Sequence, residues 1–212
     1  ILRETAPRAR VVALSGPSLA LEVARGVPTA VVAASEDAEA ARLVQRLFHD
    51  AAFRGYTSSD LRGVELGGAL KNVFAIGAGV CDGLGFGDNS KAALVTRAIA
   101  EMRRLGVACG ARPETFSGLS GIGDLMVTCF SPLSRNRQFG ERLGRGEPVA
   151  QILGSMTAVA EGYPTARAAH ALARRLQVES PIIDEVYAML YEGKDVRHAV
   201  QDLLARESKP ED

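Results

Sequence analysis

One segment limits the architecture of this chain more than any other. From Val64 to Cys81 the residues read as a single long helix, and Gly67, Gly68, Ala69, Ala75, Gly77, Ala78 and Gly79 crowd it with small side chains. Glycine in a helix interior costs roughly 1 kcal/mol relative to alanine, so such a helix persists where neighbours pack closely against it. The rest of the chain has to supply those neighbours. Helical spacing runs through Lys91 to Leu105, where Leu94, Val95, Ala98, Ile99, Met102 and Leu105 share a face and Gly106 is placed to end the helix. Further helices are predicted over Arg137 to Leu143, Thr165 to Leu176, Pro181 to Tyr191 and Val196 to Ala205. Ser180 before Pro181, and Asp195, read as N-caps. The tail Ser208-Lys209-Pro210-Glu211-Asp212 is expected to fray.

Before Gly63 the pattern is different. Arg10 to Leu14, Thr29 to Ala34 and Phe53 to Thr57 are short apolar runs. Helical stretches, Ser18 to Arg25 and Asp37 to Phe48, separate them. Short strands alternating with helices predict a parallel α/β sheet, here its trailing edge. We therefore divide the chain into 1–62, an incomplete α/β unit, and 63–212, an all-helical unit. The chain opens on Ile1 and soon enters a strand, which reads as a piece with an upstream part missing.

Composition narrows the function classes. Lys+Arg and Asp+Glu are 25 each, so no basic excess favours nucleic acid. No signal peptide is visible, and no transmembrane helix is expected. Cys81, Cys109 and Cys129 are odd in number and widely spaced, which suits reduced thiols in a cytoplasmic protein better than a disulfide frame or a metal site.

Three places have chemical potential. Lys71 sits among small and apolar residues, where partial desolvation would disfavour the ammonium and suit a general acid/base. It can equally snorkel to solvent. Asp124, within Ser120-Gly121-Ile122-Gly123-Asp124-Leu125, follows glycines that allow a tight turn presenting a carboxylate inward, or it is a plain turn or helix cap. Ser134-Arg135-Asn136-Arg137 opens a helix with a hydroxyl, a guanidinium and an amide, a set able to hold an anion or to form a solvated, capped loop. Gly83-Leu84-Gly85-Phe86-Gly87-Asp88 resembles a nucleotide loop only superficially. It follows a helix rather than a strand, so it reads as a helix–helix connection. His49, His170 and His198 have no partner at metal or triad spacing and read as surface or capping residues.

Taken in order, several pieces resemble the bacterial-type NAD(P)-dependent glycerol-3-phosphate dehydrogenase family. They are Ser15-Gly16-Pro17-Ser18-Leu19-Ala20-Leu21-Glu22, Ala69-Leu70-Lys71-Asn72, Asp82-Gly83-Leu84-Gly85-Phe86-Gly87-Asp88-Asn89, Leu119 to Leu125, Ser134-Arg135-Asn136 and Ala160-Glu161-Gly162. The resemblance runs from Val11 to Leu204. It implies a remnant of a dinucleotide-binding (Rossmann) sheet followed by a mainly α-helical domain of the 6-phosphogluconate dehydrogenase C-terminal type. It also implies reversible hydride transfer between sn-glycerol 3-phosphate and NAD or NADP, giving dihydroxyacetone phosphate and supplying glycerol 3-phosphate for phospholipid synthesis. By the same resemblance Lys71 is the proton acceptor. Gly16, Ser18, Lys71, Asp124, Ser134, Arg135 and Asn136 contact substrate. Ala20, Arg135, Val159 and Glu161 lie on the cofactor side, no metal is required, and a cytoplasmic homodimer is expected. The family's opening strand and glycine-rich phosphate loop are not in this sequence, so the piece alone is expected to be inactive. The alternatives are a related 3-hydroxyacid or 6-phosphogluconate-type dehydrogenase, or a non-catalytic helical dimerisation fragment.

Overall fold

The computed structural model describes residues 2–156, 158–207 and 210. Ile1 and most of the expected fraying tail (Ser208, Lys209, Glu211 and Asp212) lie outside the described residues. After a short helix α1 (Leu2–Thr5) the chain forms β1 (Ala13–Ser15), α2 (Ala20–Ala24), β2 (Thr29–Ala34), α3 (Ala38–Phe48) and β3 (Phe53–Ser58). The helical part follows as α4 (Leu61–Gly83), α5 (Asp88–Ala108), a 3-10 turn (Pro113–Ser117) and a wide π-type turn (Leu119–Gly123). It continues through α6 (Asp124–Phe130), α7 (Arg135–Gly144), α8 (Val149–Ser155), α9 (Gly162–Arg175), α10 (Pro181–Tyr191) and α11 (Val196–Leu204).

The three strands lie in the order β1-β2-β3. β2, the apolar run Thr29–Ala34, is central and its last four residues are buried. It pairs parallel to β3, as the alternating pattern predicts, but antiparallel to β1. The expectation of an all-parallel sheet is therefore corrected. A parallel crossover needs a connection able to run back along the strand. α2 has five residues, about 7.5 Å of helix at the usual rise, too little to carry the chain back along β2. β1 is short because Gly16 breaks it at φ +138°, where an added Cβ would lie 3.0 Å from Ala30 O and Val31 Cα. Asp37 caps α3 by accepting from the Glu39 and Ala40 N–H groups.

α4 is the axis of the helical part and touches α5, α6, α7, α9 and α10. By length and composition it is the one helix among the described residues able to cross a membrane, and most of it is buried inside the fold. Its glycines explain how. At Gly79 a Cβ would stand 2.0 Å from Arg137 O, and at Gly83 it would stand 2.3 Å from Glu141 O. On α7, Gly140 is 1.9 Å by the same measure from Ile76 O, and Gly144 is 2.7 Å from Val80 O. Glycines four apart on both helices therefore bring the two backbones into direct contact. Fully buried Phe74, Phe116, Phe139, Ile76, Met102 and Leu105 fill the space around this axis, each contributing roughly 1.5–3 kcal/mol.

Two end signals differ from expectation. α5 runs past Gly106 and stops before Gly110, which takes φ +83°. Gly106 instead admits the Phe116 ring, whose Cζ would lie 2.1 Å from a Cβ there. Ser180 occupies the N-cap position of α10 without capping it. The carboxylate of Glu101, from α5, accepts the Ile182 and Ile183 N–H groups at 3.0 and 2.9 Å. Asp195 caps α11 as predicted, accepting from Arg197 and His198. His170 is neither a surface residue nor a cap. It stacks on Tyr187 at 4.0 Å between ring centroids and pairs with Asp184 at 2.9 Å, joining α9 to α10.

Candidate active site

Lys71 and Asp124 face each other where α4 meets α6. Lys71 Nζ donates to Asp124 Oδ2 at 2.5 Å, with side-chain exposures of 21% and 4%. Asp124 does not sit in a free glycine turn. It is the first residue of α6, continued directly from the π-type turn, so the helix fixes its direction. The turn stays close because Gly121 lies against Phe116, and because Gly67 of α4 lies against the Ser120 carbonyl, 2.4 Å from where its Cβ would be. Burial pushes the Asp124 carboxyl above its ordinary range, and Lys71, the Gly16 N–H and the Ser15 hydroxyl pull the other way. Ser15 Oγ donates to Asp124 Oδ2 at 3.4 Å. Thr128 Oγ1, one turn on, donates to the Asp124 carbonyl at 2.5 Å. The β1–α2 loop is thus tied to the pair. In that loop Ser18 donates to Gly16 O at 3.0 Å, and Ala20 is exposed on the first turn of α2.

α7 starts beside this pair. Ser134 is buried and caps the helix, accepting the Arg137 N–H at 3.2 Å. Asn136 is also buried. Its Nδ2 donates to Asn72 Oδ1 at 2.9 Å, and its Oδ1 accepts the Gly162 N–H at 2.8 Å. Asn136 therefore links α4, one residue beyond Lys71, to the loop that carries Val159 and Glu161. Arg135 is exposed and forms no ion pair among the described residues. Glu161 is exposed, and Val159 is 67% exposed. The structure brings Gly16, Lys71 and Asp124 together directly, and places Ser134, Arg135 and Asn136 on one helix start that Asn72 joins to α4. Ser15, Asn72 and Thr128 belong to the same network. Ser15 and Asn72 each stand beside a residue singled out from the sequence. Thr128 is one helical turn from Asp124, a relation that becomes visible once α6 is known to be a helix.

The fold and this arrangement define a class: the end of a dinucleotide-binding sheet feeding a helical domain of the 6-phosphogluconate dehydrogenase C-terminal type. Residues 60–201 match the NAD-dependent glycerol-3-phosphate dehydrogenase C-terminus, and residues 1–41 match the N-terminus of the same family. The chain belongs to the NAD-dependent glycerol-3-phosphate dehydrogenase family. It is 57% identical over 198 residues to glycerol-3-phosphate dehydrogenase (NAD(P)+) of Geobacter sulfurreducens, covering 93% of this chain and 59% of that relative. It is 54% identical to the Syntrophotalea carbinolica enzyme of the same description, covering 100% and 64%. The crystal structure of glycerol-3-phosphate dehydrogenase from Coxiella burnetii superposes with a TM-score of 0.93 at 40% identity, over 97% of this chain and 63% of that one. The chain thus spans about three fifths of the length of the curated relatives it matches.

Proposed function

We propose that this chain is the substrate-holding part of an enzyme that oxidises sn-glycerol 3-phosphate to dihydroxyacetone phosphate and runs the reverse reduction. The observation that carries the proposal is the Lys71–Asp124 pair, a half-buried amine held at 2.5 Å by a buried carboxylate. In oxidation, Lys71 Nζ accepts the proton of the C2 hydroxyl while C2 loses hydride, and in reduction it returns that proton. Asp124 keeps the amine aimed and balances the ammonium formed when Lys71 takes up that proton; burial works against the ionised carboxyl, and the Lys71 partner works for it. NAD or NADP, when bound, accepts the hydride. The exposed residues of the cofactor side suit an edge of such a dinucleotide. Arg135 offers an exposed cation, Glu161 an acceptor for hydroxyl or amide, and Val159 and Ala20 apolar contact. Arg135, at the start of α7, is the clamp for the substrate phosphate, where helix N–H groups favour an anion. Gly16, Ser18, Ser134 and Asn136 shape the substrate's surroundings. A homodimer in the cytoplasm that binds no nucleic acid belongs to the same reading, and the balance of 25 basic and 25 acidic residues speaks against a nucleic-acid partner.

The family match favours glycerol 3-phosphate over a 3-hydroxyacid or 6-phosphogluconate substrate. The test uses the enzyme at the full length of its relatives. Lys71→Ala should lower kcat by about 10²–10⁴-fold, the usual worth of a general acid/base, in a protein that still melts cooperatively by circular dichroism but at a lower temperature, because the buried Asp124 carboxyl loses its partner. A kcat within a few-fold of wild type would remove Lys71 from the chemistry.

A further inference from the structure

A second charged cluster lies on the same helices as the site, and no step of the proposed chemistry uses it. Asp82, in the last turn of α4, accepts Lys91 Nζ on Oδ1 and Arg137 Nε on Oδ2, the latter at 2.6 Å. Lys91 is in the first turn of α5 and Arg137 in the first turn of α7. Side-chain exposures are 15% for Asp82, 9% for Lys91 and 16% for Arg137. Glu141 approaches Arg137 at 3.9 Å, which balances the charge of the group. The Lys91 ammonium also lies 5.2 Å over the Phe130 ring, at the end of α6. One carboxylate therefore joins the ends of three helices, α4, α5 and α7, Lys91 adds the end of α6, and α7 begins with Arg135 and Asn136.

Adhesion alone does not account for this cluster. Ions withdrawn from water contribute little net stability, and apolar side chains of similar size often serve as well. The α4–α7 contact is already made by the glycines at 79, 83, 140 and 144. The ions add direction. A guanidinium is a rigid fork, so bonding its Nε to a fixed carboxylate sets the rotation of the turn that bears it. Successive helical residues lie about 100° apart, at 3.6 per turn, so a modest rotation of this first turn would swing Arg135 away from its target. We propose that Asp82 is a positioning residue for the anion-binding end of the site, acting through Arg137 to hold Arg135 in register. This rests on the phosphate-clamp reading of Arg135 given above.

A double-mutant cycle in the full-length enzyme tests the proposal. Asp82→Asn keeps the shape and removes the charge. It should raise KM for glycerol 3-phosphate about tenfold and the KM for the dinucleotide by less, since Arg135 also borders the cofactor side, while kcat stays within about threefold, the pattern of lost uniform binding. In an Arg135→Ala background the same change should cost almost nothing further, because the two act in series. If the single variant does not fold, Asp82→Asn with Lys91→Met removes the orphaned cation and restores charge balance, and the same kinetics apply. Full additivity with Arg135→Ala, or an unchanged KM, overturns the proposal. If instead Arg135→Ala itself leaves KM for glycerol 3-phosphate untouched, the clamp reading fails, a result distinct from a neutral Asp82→Asn beside a damaged Arg135→Ala.

Discussion

Glu101 places a carboxylate where water hardly reaches, at 1% exposure, with the first N–H groups of α10 as its partners. Burial pushes its pKa up to about 7 from an ordinary 4.5, against the pull of the Ile183 and Ile182 N–H groups. The folded state thus binds the proton more tightly than the unfolded chain. Stability is fully present below about 4.5 and declines as pH rises through about 7. At 1.36 kcal/mol per unit the loss is about 3 kcal/mol. Glu101→Gln has no proton to exchange, so the difference in urea stability between wild type and Gln should widen in favour of Gln between pH 4.5 and 8. A difference independent of pH would show that Glu101 does not titrate in this range. Arg135 makes the opposite kind of residue, exposed and, among the described residues, without an ion pair. Arg135→Ala should leave stability alone and cost about 1.5–3 kcal/mol of charge-assisted binding, about 10–200-fold in kcat/KM. The loss should be seen with glycerol 3-phosphate and not with unphosphorylated glycerol. Equal losses on both would exclude a phosphate contact.

Between elements, α4 and α7 meet backbone to backbone, and glycine makes it possible. Gly79→Ala and Gly140→Ala would place methyl groups 2.0 and 1.9 Å from backbone oxygens that cannot move alone. Each should destabilise by about 1–3 kcal/mol or more through overpacking, read as a lower urea midpoint. Gly154→Ala, in α8 with open space around it, should instead stabilise by about 0.4–1 kcal/mol. A Gly79→Ala variant as stable as wild type would mean the helices can separate at little cost. The density of small residues in 64–81 made this packing legible beforehand, as it did the buried core helix. The periodic helices and β2 were equally clear because burial repeats along them. What could not be read locally was decided by distant partners. Gly106 looks like a helix end until Phe116 occupies its missing side chain. Ser180 looks like a cap until Glu101, on another helix, takes the role. The Asp124 segment looked like a turn because glycine is a poor helix former, and tertiary contact with Gly67 and Phe116 overrode that preference. Lys71, Asp124 and the 134–136 segment stand out in the sequence as candidate chemistry, and the structure ties them into one network. The bonds by which Asn72 and Ser15 join them depend on α7 and β1 being in place.

For the molecule as a whole, the balance of packing sets what 212 residues can do alone. The large core cluster draws on α4, α5, α6, α7, α9 and α10, while a much smaller one, Val32, Ala34, Leu61 and Val64, joins the sheet to α4. Large apolar side chains around the sheet remain open: Leu14, Leu21, Leu47, Phe48 and Tyr56 are all exposed. β1 pairs on one side with β2 and has no second neighbour among the described residues, which leaves it an open edge. The helical part therefore has its own core and should melt cooperatively, with the sheet region loosening first. Hydride transfer needs more than a folded substrate site. Holding two reactants in place can supply about 7–11 kcal/mol of the barrier, and a dinucleotide is ordinarily anchored by a glycine-rich turn between a strand and a helix. The glycines of 83–87 follow α4, a helix, and cannot form that turn. The 212-residue chain by itself should accordingly show a cooperative helical transition by circular dichroism and no appreciable turnover with either NAD or NADP. Extension to the length of its relatives should restore turnover. Activity of the short chain near that of the extended one would refute the assignment of cofactor anchoring to residues outside it.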